Sequence, residues 1–254
     1  MTAAVLALWS REVRVFLRDR ARVAGVLAQP VLFWAVFGFG FADSVSIPGS
    51  DAGYLQYLLP GMVALTVLFT AIYSTLSVVE DRQSGVLQAV LVAPQPRSAL
   101  VLGILLGGVT LAVGQAAIIG AFAPVVGLRP GLGGVLVALL AGVLLAVTFC
   151  AFGFVMAWRL KSGRAYHAVM NVVLIPIWLL SGAFFPEAGA SEVVALAMRL
   201  NPATYGVGLL RYGLGGLPES VPGTPLSFGA CLAVSVAVAV LAFVWATWTA
   251  RRTP

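Results

Sequence analysis

Apolar residues dominate six runs, at positions 23–41, 58–79, 98–126, 133–158, 165–185 and 228–249, and none of them contains Asp, Glu, Lys or Arg. An α-helix rises about 1.5 Å per residue and the hydrocarbon core of a bilayer is about 30 Å thick, so about 20 apolar residues make one crossing. All six runs reach that length, which predicts an all-α integral membrane protein with six transmembrane helices. Ahead of the first run the pattern changes. At about 100° per residue, Arg11, Arg14, Arg18 and Arg22 share one face, while Val5, Leu6, Trp9, Val13, Phe16 and Leu17 lie opposite. Residues 1–22 therefore read as an amphipathic helix in the membrane interface, the alternative being a topogenic charge cluster without fixed conformation. Arg20 falls on the apolar side, where its long stem lets the charge snorkel.

The connections between the runs alternate in charge. The amino-terminal segment holds Arg11, Arg14, Arg18, Arg20 and Arg22, the second connection Arg82 and Arg97, the fourth Arg159, Lys161 and Arg164, and the tail Arg251 and Arg252. The other connections carry only Arg129, Arg199 and Arg211, against Asp43, Asp51, Glu187, Glu192 and Glu219. Basic residues near span ends are retained in the cytoplasm, so both termini are expected there.

Composition agrees with the membrane assignment. The 254 residues are 61% hydrophobic and 9% charged, whereas soluble domains are about 25% charged. Six spans and their connections consume nearly the whole chain, leaving one transmembrane domain over residues 1–254 and no room for a soluble catalytic one. The net charge of +6 follows from the topology rule and calls for no nucleic acid. Cys150 and Cys231 lie inside apolar runs, where cysteine behaves as a small hydrophobe and says nothing of redox compartment. The basic stretch reaching Arg22, with a run of spanning length behind it, is unlike a cleaved signal peptide, so the first span is expected to persist.

The first connection is short and contains the breaker Pro48-Gly49. The fifth, residues 186–227, is the extracytoplasmic connection and is much longer. Its apolar stretch 193–200, followed by NPATYGVGLLR at 201–211, suggests short helices dipping back into the outer leaflet, with an ordinary external loop as the alternative. Gly103 and Gly107 have the spacing that lets a neighbouring helix approach closely. No internal repeat is visible, so an inverted-repeat carrier gains no support.

Ion-coupled carriers place ionisable side chains at membrane depth, and these runs have none except His167, about one turn inside the fifth. There is no cluster of metal ligands and no nucleophile–base pair, so no catalytic or metal-binding residue is assigned. A phosphate-binding loop GxxxxGK[ST] is also missing: the sole lysine, Lys161, follows Leu160. Uphill transport would draw its energy from another subunit.

The segment best suited to receive it is EDRQSGVLQAVLVAPQPR, residues 80–97, which has charges at both ends and an apolar centre. It reads as a short helix resting on the membrane-proximal surface and stopped by Pro94 and Pro96. Its charges have little reason to gather there unless they meet a partner. At these residues the chain resembles the integral membrane subunits of ABC type 2 exporters, including the daunorubicin/doxorubicin resistance permeases. Glu80, Arg82, Gly85, Leu87, Leu91, Pro94 and Arg97 follow that family's order after its second span, with Asp81 beside them. LPG at 59–61, LSGAFFP at 180–186 and NPATYGVGLLR extend the resemblance, while Gln88-Ala89 departs from it, since many relatives have a charged and then a large apolar residue.

The resemblance implies a permease subunit that is not itself an enzyme and holds no cofactor. A second protomer, in a homo- or heterodimer, would pair with it in the membrane. Cytoplasmic ABC ATPase subunits carrying ATP and Mg2+ would dock on residues 80–97, the coupling segment. It further implies export of a hydrophobic or amphipathic substrate, a drug-like compound, lipid or lipid-linked glycan, across a plasma membrane such as the bacterial inner membrane. In similar exporters the second and fifth spans line the substrate path. Here Thr66, Thr70, Tyr73, Ser74 and Ser77 recur on one face of the second span, with Asn171 and Ser181 on the fifth and Gln115 on the third. Hydroxyls in lipid also serve helix packing, and that reading stays open. The alternatives of another class are an ion-coupled secondary transporter and an intramembrane lipid-modifying enzyme.

Overall fold

The structure is a computed structural model that describes residues 2–40, 53–92, 96–160, 162–187, 190–215 and 226–252; it is helical, with no strand among these residues. Asp43, Pro48, Gly49, Asp51, Pro94, Lys161, Glu219 and the Leu91 side chain lie outside what is described. In chain order the helices are α1 (Thr2–Arg18), α2 (Arg20–Gly40), α3 (Tyr54–Ser74), α4 (Leu76–Gln83), α5 (Val86–Val92), α6 (Arg97–Gly120), α7 (Leu132–Arg159), α8 (Gly163–Trp178), α9 (Glu192–Leu200), α10 (Pro202–Leu214) and α11 (Phe228–Arg252).

Five helical runs are long and apolar enough to cross a membrane: Tyr54–Gln83, Arg97–Val126, Leu132–Arg159, Gly163–Ala183 and Phe228–Arg252. They coincide with the second to sixth apolar runs. Two bent pairs accompany them: Thr2–Arg18 with Val23–Gly38, bent by 78°, and Glu192–Leu200 with Pro202–Leu214, bent by 81°. With each bent pair counted as one span, the described residues hold up to seven. The Tyr54–Gln83 run is the hub, its apolar window 94% buried against 17% for Phe228–Arg252. Around α3 pack α2, α6, α7, α8 and α10, whereas α11 lies on the rim against α6, α7 and α10.

The amino-terminal helix is docked on protein as well as facing outward. It runs along α6. A Cβ added to Gly103 would stand 2.6 Å from the Leu8 Cβ, and one on Gly107 would stand 2.6 Å from that of Glu12, so the glycine pair forms the groove in which α1 sits. Trp9 Nε1 donates to Thr110 Oγ1 at 3.0 Å, and Phe16 and Glu12 are buried while Leu6 and Leu17 point outward. Helical arithmetic assigned one apolar face to the interface. The structure splits it between α6 and the outside, because periodicity cannot distinguish lipid from an apolar neighbour.

Between α3 and α4 the Thr75 hydroxyl bonds back to the Ile72 carbonyl at 2.7 Å, a local competition that loosens the helix. Tyr166 of α8 covers the spot, its hydroxyl 2.8 Å from Thr75 Oγ1 and 2.9 Å from Ile72 O. A larger break follows α8. Pro176 removes a donor, and the turn Leu179–Ala183 widens into π geometry with Gly182 at φ +74°, where a Cβ would be strained. Its neighbours satisfy the freed carbonyls: Tyr57 Oη and Arg211 Nη2 donate to Gly182 O at 2.8 and 2.5 Å, and Asn201 Nδ2 donates to Ile177 O at 2.6 Å. Irregular backbone at membrane depth requires such protein partners.

NPATYGVGLLR supplies them by folding as α10. Asn201 caps the helix, accepting from Ala203 N at 3.0 Å, and Pro202 occupies the first helical turn. The Arg211 guanidinium lies 3.7 Å from the Tyr57 ring centroid. Nearly every residue of α10 is buried, and its end touches α7 backbone to backbone: a Cβ on Gly213 would meet Ala138 N at 2.6 Å and Gly134 O at 2.8 Å.

Candidate functional site

Three sets of hydrogen bonds gather the basic helix ends at one end of the bundle. Arg11 of α1 grips Asp81 of α4 with both terminal nitrogens, Nη1 to Oδ2 at 2.6 Å and Nη2 to Oδ1. The Asp81 hydrogen bond holds the Arg11 guanidinium above its ordinary pKa despite partial burial. Arg82 donates to Trp158 O at 2.7 Å and Leu160 O at 3.0 Å, closing the carboxyl end of α7. Arg97 does the same for α11, donating to Ala250 O at 3.1 Å and Arg251 O at 3.4 Å. Guanidinium groups suit these positions because the last carbonyls of a helix lack internal donors and carry its negative dipole end.

Most of the charges of residues 80–97 are thus used within the chain. Helix α4 continues to Gln83, so Glu80, Asp81 and Arg82 stand on its last turn, and Asp81, Arg82 and Arg97 find partners within the chain. Glu80 remains exposed. Gly85 follows at φ +79°, a left-handed position that favours glycine and redirects the chain into α5. Leu87 anchors that short helix in the core, leaving Val86, Gln88, Ala89 and Val92 exposed, Val92 at 86%. The result is a seven-residue helix held on a fixed frame, with an acidic side chain at its entry and an apolar outer face.

Most of the polar residues singled out on the second and fifth spans are enclosed within the chain. Thr66 donates to Met62 O at 2.9 Å, Ser77 to Ser74 O at 3.1 Å and Ser181 to Trp178 O at 2.5 Å, each within one helical turn and buried. Thr70 donates to Gln115 Oε1 at 2.8 Å, joining α3 to α6. Tyr73 and Asn171 are brought together across α3 and α8, with Tyr73 Oη 2.7 Å from Asn171 Oδ1, and Asn171 is exposed. The His167 ring lies 5.1 Å from that of Tyr73. Tyr73, His167 and Asn171 thus form an outward-facing polar patch between α3 and α8. Sequence reading missed His167 as a member, although its four-residue spacing from Asn171 put both on one helix face. It also missed the pairing of Arg11 with Asp81, for which a separation of 70 residues leaves no local signal.

The ABC-2 type transporter family model matches residues 3–214. Nodulation protein J of Rhizobium leguminosarum bv. trifolii is 28% identical over 209 residues, covering 81% of this chain and 79% of that protein. The putative transport permease ycf38 of Cyanophora paradoxa is 26% identical over 206 residues, covering 78% and 71% respectively. The inner membrane transport permease YadH of Escherichia coli (strain K12) is 24% identical over 220 residues, covering 85% and 84%. The family match takes in α1, residues 80–97 and α10 together: the chain belongs to the ABC-2 type transporter family.

Proposed function

We propose that this chain is the membrane-spanning permease subunit of an ATP-driven ABC exporter. It pairs with a second permease protomer, and separate cytoplasmic ABC ATPases dock on α5 and supply the energy from ATP and Mg2+. The carrying observation is the contrast within residues 80–97: Asp81, Arg82 and Arg97 are used inside the chain, while Glu80 and the apolar outer face of α5 are left uncovered on a rigid mount. A surface so presented suits a protein partner, since a short helix covered by water alone gains nothing from exposed Val86 and Val92.

The orientation follows from charge. The end bearing Arg11, Arg82, Arg97, Arg251 and Arg252 is cytoplasmic, both termini included, and α9–α10 is re-entrant rather than a crossing. In this reading α2 completes six spans. The substrate is hydrophobic or amphipathic and passes along the α3–α8 face, where Tyr73 and Asn171 offer polar contacts to a path between protomers. Thr66, Thr70, Ser77 and Ser181 shape that face from within.

The test is ATP-dependent transport by the permease reconstituted with its ATPase. Glu80→Lys should insert normally yet uncouple hydrolysis from transport. Glu192→Lys, an exposed charge change at the opposite end, should not. Equal coupling in both variants would remove Glu80 from the docking surface.

A further inference from the structure

The end of the bundle away from α5 holds a cavity of about 480 Å3, between the last turns of α6, the 3-10 turn Ala123–Val126, the start of α7, and α10. Sites for small ligands typically enclose about 300–1,000 Å3. Ala117, Gly120, Leu139, Gly142 and Leu210 are among its apolar lining, and Arg129 is the charged side chain in it. Ala117 and Leu139 are exposed, so the cavity opens on the outer surface of the bundle.

The glycines here do the opposite of Gly103 and Gly107. A Cβ on Gly120 would meet nothing within 4 Å, and one on Gly142 only Val113 Cγ2 at 3.9 Å. They bring no helix closer; they leave room. Apolar walls without polar partners do not hold water, and unfilled space beside hydrocarbon forfeits the dispersion contacts that a flexible chain would restore. At the mouth, in the connection leading into α7, Arg129 is exposed and has no hydrogen bond or ion pair among the described residues. A planar guanidinium at headgroup depth matches the oxygens of a phosphate and carries a charge that an anionic lipid would neutralise.

We infer that this cavity holds one acyl chain of an anionic phospholipid drawn from the surrounding bilayer, with Arg129 on its phosphate. The site is separate from the coupling surface and from the Tyr73–Asn171 patch. It makes the packing of α6, α7 and α10 dependent on lipid charge.

The experiment places the full-length chain in phosphatidylcholine nanodiscs containing a trace of phosphatidylglycerol with a photoreactive group near the end of one acyl chain, and maps the crosslinked peptides by mass spectrometry. Crosslinks should concentrate on the second half of α6 and the first half of α7, and excess unlabelled phosphatidylglycerol, but not extra phosphatidylcholine, should displace them. Gly120→Leu should fill the cavity and suppress the crosslinks. Arg129→Gln should keep the apolar slot and lower the preference for phosphatidylglycerol on the order of tenfold, as loss of one charge-assisted contact implies. Crosslinks spread equally over the exposed face of α11, equal displacement by both lipids, or an unchanged preference in Arg129→Gln would each overturn the assignment. Should Gly120→Leu fail to fold, the competition and Arg129→Gln decide the matter alone.

Discussion

A hydroxyl buried among hydrocarbon side chains must find an acceptor, and Thr70 finds Gln115 at 2.8 Å. Thr70→Val leaves the Gln115 amide without that donor and should cost about 1–3 kcal/mol, and Gln115→Leu should cost a similar amount by stranding the hydroxyl. The double variant should recover much of the loss, because two apolar groups of matched size leave nothing unsatisfied. Thermal unfolding of the four proteins in one detergent gives the coupling, and simple additivity would show that the bond does not hold α3 to α6. The charges at the other end divide in the same way. Arg82→Met should lower the unfolding temperature by uncovering the carbonyls of Trp158 and Leu160, whereas Glu80→Lys should leave it unchanged. Destabilisation by Glu80→Lys as large as that by Arg82→Met would mean that Glu80 is part of the frame.

At the scale of elements, hydropathy alone located the helical runs from α3 to α11, since a stretch of apolar residues of membrane length has few other fates. The docking of α1 was not legible in the same way. Its period of 3.6 residues marks an apolar face, but the groove that receives it is made by Gly103 and Gly107, about a hundred residues later. Likewise the charges of residues 80–97 could be seen from the sequence, but not that Arg82 and Arg97 close the ends of α7 and α11, because those bonds span 78 and 153 residues. The segment NPATYGVGLLR was readable further, as Asn at the cap and Pro in the first turn are local signals. Gly107→Leu should lift α1 from α6 and slacken its hold on Asp81. Amide exchange over residues 2–18 should then rise by roughly tenfold or more, with α7 unaffected. Unchanged protection would mean that α1 is held by the membrane and not by α6.

For the molecule as a whole, the placement of α9 and α10 decides the topology. In a background lacking Cys150 and Cys231, single cysteines at Ser84, Ser162, Glu192 and Ser227 can be tested with an impermeant thiol reagent on intact cells. Re-entrance predicts labelling at 192 and 227 and none at 84 and 162. Labelling at only one of 192 and 227 would make the α9–α10 pair a crossing and put the carboxyl terminus on the other side from the amino terminus.

The contact that seats α10 on α7 carries a genetic consequence. At Thr70 and Gln115 a lesion on one side can be repaired on the other, since both members are side chains. At Gly213 the atoms in the way are Ala138 N and Gly134 O, which belong to the main chain and persist whatever residue replaces either neighbour. Random mutagenesis should therefore recover second-site suppressors of Thr70→Val at position 115, while suppressors of Gly213→Val at positions 134 and 138 should not exist. The seat of α10 is fixed by backbone, and a lineage that loses that glycine has no nearby route back except reversion.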